Sequence, residues 1–193
     1  MAAQQRIILG IDPGTNLLGY GVILVDKKSV HYVDMGVLDM RRETDHFMKL
    51  RRIFEGVGAL LERYAPDDLA IEAPFYGKNV QSMLKLGRAQ GTVIAAAVHR
   101  QIPVFEYAPR KVKMAITGRG DASKEQVKLL MEKTLGTTFD AKFLDASDAL
   151  AIAMCHFYQL TSPLVDTASS RNWKSFVEAH PGRVKEGVEV AKK

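Results

Sequence analysis

A single cysteine, Cys155, among 193 residues leaves no intramolecular disulfide to be made. That excludes a disulfide-stapled fold and fits a reducing compartment. No apolar run approaches the roughly 18 residues that a membrane-spanning helix needs. The first ten residues are too short and too polar at their flanks for a secretory signal, so a cytoplasmic protein is expected. Five histidines (His31, His46, His99, His156 and His180) show no ligand spacing with one another or with Cys155, which argues against zinc. Charge of one sign is also scarce: 27 basic against 22 acidic residues leave a net +5. That balance permits nucleic-acid binding without requiring it. What is present is ordinary globular composition, 47% hydrophobic, enough chain for one core.

Apolar periodicity orders the chain. Residues 6–12 read as a buried strand ended by Pro13-Gly14, and two further β-rich segments follow at 17–25 and 29–40. Their short polar breaks favour an antiparallel meander. Residues 44–64 form an amphipathic helix with Phe47, Leu50, Ile53, Phe54, Val57, Leu60 and Leu61 on its inward side, stopped at Pro66. A short strand at 69–73 precedes a long helix at 79–100, with Met83, Leu86, Gln90, Val93, Ile94 and Ala97 on one side. Another strand at 103–107 leads into helices near 110–117, 124–135 and 146–160. The middle one carries an S-x-x-Q capping box at Ser123 and Gln126 and stops at Gly136. A meander followed by strands separated by helices gives a mixed α/β sheet. Residues 1–160 form one domain; 161–193 lose the pattern and read as a flexible tail, with a short helix at 173–179.

Four carboxylates stand at the ends of these elements. Asp12 closes the first strand, where it reads either as D-P-G turn chemistry or as a ligand at a central strand end. Glu72 ends an otherwise apolar strand. It is either an edge glutamate or a buried charge that a cation would compensate. Asp145 and Asp148 open the last helix. They suit capping and the helix dipole. They are also an i, i+3 pair on one face, roughly 5–6 Å apart at their β-carbons. Asp12 and Glu72 are separated by 60 residues, and Glu72 and Asp145 by 73, so only a fold can join them. Such a cluster suits Mg²⁺, with Mn²⁺ able to substitute, because hard cations take oxygen ligands. His156, eleven residues beyond Asp145, would lie roughly 16 Å away along the helix and is read as structural or surface.

The chain at this point resembles the RuvC family of Holliday-junction resolvases, over about residues 7–160. The resemblance rests on Gly10-Ile11-Asp12-Pro13-Gly14-Thr15 with Gly19-Tyr20-Gly21, then on Ala70-Ile71-Glu72 with Phe75 and Lys78-Asn79. It continues through the stretch from Leu84 to Gly91, Pro103 to Tyr107, Val112-Lys113, and Lys124 with Gln126-Val127, and ends on Asp145 to Ala151. It implies a ribonuclease-H-like mixed five-stranded sheet flanked by helices. It implies Asp12, Glu72, Asp145 and Asp148 as catalytic metal ligands, with two ions per site. It also implies a homodimer that nicks strands of like polarity in a four-way DNA junction, and RuvA and RuvB as branch-migration partners. Two ions about 3.5–4 Å apart would support attack by water, without a protein nucleophile.

The same resemblance places Lys113 and Lys124 near the scissile phosphate; without it they read as solvated helix charge. Phe75 becomes a wedge that stacks on an unpaired base, against a plain packing role. Lys78, beside Gly77, suits phosphate contact. The helix at 79–100 is the candidate dimer interface, or ordinary core. Two other classes compete. An actin-like nucleotide-binding module also opens with D-x-G-T, but needs a second lobe and loop that 193 residues do not contain. A junction-binding protein without catalysis is disfavoured because all four carboxylates are present. An RNA-processing nuclease on the same fold is a third reading, disfavoured by Phe75, Lys113 and Lys124.

Overall fold

The computed structural model describes residues 5–27, 29–73, 79–139 and 144–161, with backbone alone for Leu144 and Asp145. Branched apolar residues build three antiparallel strands: β1 (Arg6–Asp12), β2 (Leu17–Asp26) and β3 (Ser29–Asp39). Helix α1 (His46–Tyr64) leads to β4 (Asp68–Glu72), and α2 (Val80–His99) leads to β5 (Val104–Tyr107). Three helices complete the series: α3 (Pro109–Thr117), α4 (Lys124–Leu135) and α5 (Leu144–Thr161). The sheet order is β3-β2-β1-β4-β5, antiparallel through β1 and parallel from β1 outward to β5. This is the ribonuclease-H-like mixed five-stranded sheet that the resemblance implied.

Alternation along the strands sorts side chains into two cores. Leu9, Ile11, Leu69 and Ile71 pack with Ile53, Val57, Ala89, Val93 and Ala97 of α1 and α2. Ile8 and Ala70 point the other way, into a core with Val112, Val127, Met131 and the buried side of α5. Every second residue of β1 and β4, up to Asp12 and Glu72, therefore faces the α3–α5 layer. Chain contacts divide the protein into two units, residues 1–158 and 159–193.

Local chemistry explains the ends. In α4 the Ser123 side chain accepts from the Gln126 N–H while Gln126 reaches back to the Ser123 N–H, and Gly136 closes the helix at φ 63°. Helix α1 starts two residues inside the expected range, behind an Asp45 cap whose Oδ1 accepts from the Met48 N–H at 2.9 Å. Its inward face is also narrower than the periodicity predicts. Phe47 and Phe54 are exposed, at 71% and 43%. Ile53, Val57, Leu60 and Leu61 already fill the contact with the sheet, and Phe54 lies about 100° round the helix from Ile53. In α2 the buried stripe runs through Ala89, Gln90, Val93, Ala96 and Ala97; it keeps Gln90, Val93 and Ala97 of the expected side and takes Ala89 and Ala96 in place of Met83, Leu86 and Ile94.

Candidate active site

Asp12 and Glu72 stand side by side because β1 and β4 are parallel neighbours. Each follows the last paired residues, Ile11 and Ile71. Bringing α5 to them takes space that two glycines provide. Gly10 and Gly21 face each other across β1 and β2, and both lie directly under α5. A β-carbon on Gly10 would meet the Ala149 carbonyl oxygen at 2.1 Å, and one on Gly21 would meet the Leu150 Cα at 2.6 Å. With Ala149 and Ala153 opposite, the helix backbone rests almost on the strands. Asp148 is thereby delivered to the end of β1.

Asp12, Glu72, Asp148, Lys113 and Lys124 line one cleft of about 380 Å³, walled by apolar side chains that include Val112, Val127 and Ala151. The five come from two strand ends and three helices. Lys124 donates from Nζ to Asp148 Oδ2 at 2.5 Å. Burial raises the Glu72 carboxyl above its ordinary range and the Asp148 charge raises it further, against the pull of Lys124 and Lys113. The backbone of α5 is described from Leu144, so Asp145 lies within the first described turn. The Asp145 side chain, Phe75, Lys78 and residues 162–193 lie outside the described residues.

Two positioning features were missed in the sequence. Gln90, buried in α2, donates from Nε2 to Glu106 Oε2 at 3.0 Å and to the Glu72 carbonyl oxygen at 3.4 Å. It thus ties the ends of β4 and β5 beneath the cleft. Its signal was a lone amide on an apolar helix stripe. The other is the Gly10–Gly21 pair, whose signal was glycine inside two strands otherwise rich in branched residues. His156, read as structural or surface, is structural. It is 1% exposed, with Nδ1 2.6 Å from the Tyr107 hydroxyl and Nε2 3.2 Å from Asp68 Oδ2.

A model of the RuvC crossover junction endodeoxyribonucleases matches residues 8–156. The chain belongs to this family. It is 52% identical over 184 residues to the RuvC of Bacteroides fragilis, covering 94% of this chain and 97% of that one. It is 50% identical over 182 residues to the RuvC of Cytophaga hutchinsonii, covering 94% and 89%. Thermus thermophilus RuvC in complex with Holliday junction substrate matches with a TM-score of 0.75 at 32% identity, covering 80% of this chain and 94% of that one. The actin-like module is not favoured, because the RuvC match runs through the D-x-G-T loop and on to the last helix.

RuvC nucleases depend on divalent metal, and the residues of this cleft fit such a group. The donors are all carboxylate oxygen, the set that hard cations take. Glu72 and Asp148 repel each other at a half-buried position, and Asp148 already holds a cation, the Lys124 ammonium. Among the described residues no three His, Cys, Asp or Glu side chains are close enough to hold an ion together. The Asp145 side chain is outside that set.

Proposed function

We propose that this chain resolves Holliday junctions by paired hydrolytic nicks in strands of like polarity, with Asp12, Glu72, Asp145 and Asp148 as its catalytic carboxylates. One observation carries the reading: within a RuvC-family chain, three of these carboxylates and two lysines reach a single cleft from five separate elements. The carboxylates would hold Mg²⁺, or Mn²⁺ in its place, as two ions. When bound, such ions lower the pKa of a ligated water and stabilise charge on a leaving oxygen. The chain's own contribution is placement. Gln90 fixes the end of the Glu72 strand, the glycine pair fixes the height of Asp148, and Val112, Val127 and Ala151 restrict solvent. Lys113 and Lys124 supply positive charge for the scissile phosphate. Lys124, which now holds Asp148, would share its ammonium with that phosphate. Phe75 stacks on an unpaired base at the junction centre, and Lys78 contacts backbone phosphate.

The active unit is a homodimer joined through α2. In support, Val80, Leu84, Gly87, Gly91, Ile94 and Val98 recur at alternating steps of four and three, the spacing of a helix–helix seam. Val80, Leu84 and Val98 are exposed, and nothing lies within 4 Å of a β-carbon added at Gly87 or Gly91. A two-fold dimer suits a substrate that must be cut symmetrically. RuvA and RuvB are the expected branch-migration partners, in the cytoplasm. Among the described residues no helix is long and apolar enough to cross a membrane.

The test uses labelled four-way junction, duplex and RNA–DNA hybrid, each with and without Mg²⁺. Paired nicks in the junction alone, dependent on the ion, are expected. Asp12→Asn should bind the junction without cutting it, and full cutting by that variant removes Asp12 from the site. Phe75→Ala should slow cleavage with binding largely kept. A monomer by sedimentation at micromolar concentration, with cleavage still paired, would end the dimer reading.

A further inference from the structure

A second polar pocket, of about 290 Å³, opens on the other face of the sheet. It is lined by Thr15 and Asn16 after β1, His46 and Lys49 at the start of α1, and Ser82 and Lys85 near the start of α2. We propose that it is a phosphate subsite, which takes a backbone phosphate of a junction strand whose scissile phosphate lies in the catalytic cleft. The inference rests on the nuclease reading above and assigns that site a further contact.

Four observations carry it. First, no carboxylate lines the pocket, while two lysines, a histidine and hydroxyl groups do, a donor set suited to an anion. The nearby Asp45 carboxylate is engaged on the Met48 N–H. Second, the pocket lies at the starts of two helices. The N-terminal end of a helix carries partial positive charge and is stabilised by acidic residues. Neither α1 nor α2 has an acidic residue in its first turn; Lys49 stands in the first turn of α1, after the Asp45 cap, and Lys85 in the second turn of α2. An anion between the two helix starts meets the partial positive charge of both and lies beside both lysines. Third, Lys49 is oriented by a neutral group: its Nζ donates to Asn16 Oδ1 at 2.6 Å, which leaves its other protons for a ligand. His46 Nε2 is enclosed without a hydrogen-bond partner among the described residues. Fourth, Thr15 follows Asp12 by three residues, so their Cα atoms lie within about 11 Å. One strand can therefore touch the cleft and the pocket together.

The test measures junction affinity against salt for wild type, Lys49→Gln/Lys85→Gln, Lys85→Glu, and a control, Lys133→Gln, on exposed α4. One phosphate contact adds about 0.9 to the slope of log affinity against log salt. The double variant should lose about that much slope and bind about tenfold more weakly at low salt. Lys85→Glu should weaken binding further, while the control keeps the wild-type slope. Single-turnover cleavage at saturating protein should stay within about twofold of wild type. A parallel titration of the DNA-free protein with inorganic phosphate should shift the amide resonances of Thr15 and Ser82 in wild type and not in the double variant. Slopes for the pocket variants equal to the control overturn the proposal. Phosphate shifts without a change in DNA slope also overturn it, in favour of a free-anion site. Wild-type protein that neither prefers nor cuts junctions sinks the nuclease reading instead, and that result does not depend on the variants.

Discussion

Strand β4 carries a carboxylate at each end, and the two have opposite fates. Asp68, its first residue, is 2% exposed and lies against a cation: Arg6 Nη1 is 3.1 Å from Oδ2, with His156 Nε2 at 3.2 Å. Glu72, its last, faces the same helical layer, but the charge that acts on it most strongly is another carboxylate, Asp148. One end of the strand closes a buried ion pair; the other holds like charges in a cleft. An acid buried beside an opposite charge holds the fold. An acid that is partly buried and electrostatically unfavourable is kept for something that arrives from outside.

The comparison can be broken by exchanging what each acid does. Glu72→Gln should lower junction cleavage by about 10³-fold or more while leaving the melting temperature equal or higher, because it removes a repulsion. Cleavage assays beside thermal melts decide it; a large loss of stability would place Glu72 with Asp68. Asp68→Asn should do the reverse, costing about 3 kcal/mol in denaturant melts while the folded fraction cuts normally. Gly10→Ala tests the link between the two ends. Lifting α5 off the strands should cost about 1–3 kcal/mol and slow cleavage about 10²-fold, read from melts and single-turnover rates. The smallest effect is in pH. Burial holds the His156 imidazole below its ordinary value, against Asp68 and aided by Arg6. The folded state thus resists a proton that the unfolded chain accepts below about pH 6.5. The stabilisation is complete above that pH and is lost as pH falls toward the depressed folded value. Melting temperatures for wild type and His156→Gln should converge with acidification; parallel curves would remove His156 from the coupling.

Much of this was legible in the residues. Among the described residues, the five strands and five helices follow from periodicity and breakers, to within about two residues at most ends. Asp12, Glu72 and Asp148 stand out in the residues themselves, at element ends, while Lys113 and Lys124 stand out only through the family resemblance. Less legible was burial around α1 and α2. Helical period identifies an apolar arc but not how much of it a particular sheet covers, so Phe47 and Phe54 were placed inward. Asp68 was passed over because its partners, Arg6 and His156, are 62 and 88 residues away in sequence.

The sequence by itself determined the elements and the acids at their ends, because period, caps and turn residues act over a few positions. The tertiary structure alone decided which acids meet. Parallel pairing of β1 with β4 aligned Asp12 and Glu72, and the facing glycines let α5 descend far enough to add Asp148. Those distances depend on backbone approach between segments 60 residues apart in one case and more than a hundred in the other, a quantity that no local pattern encodes.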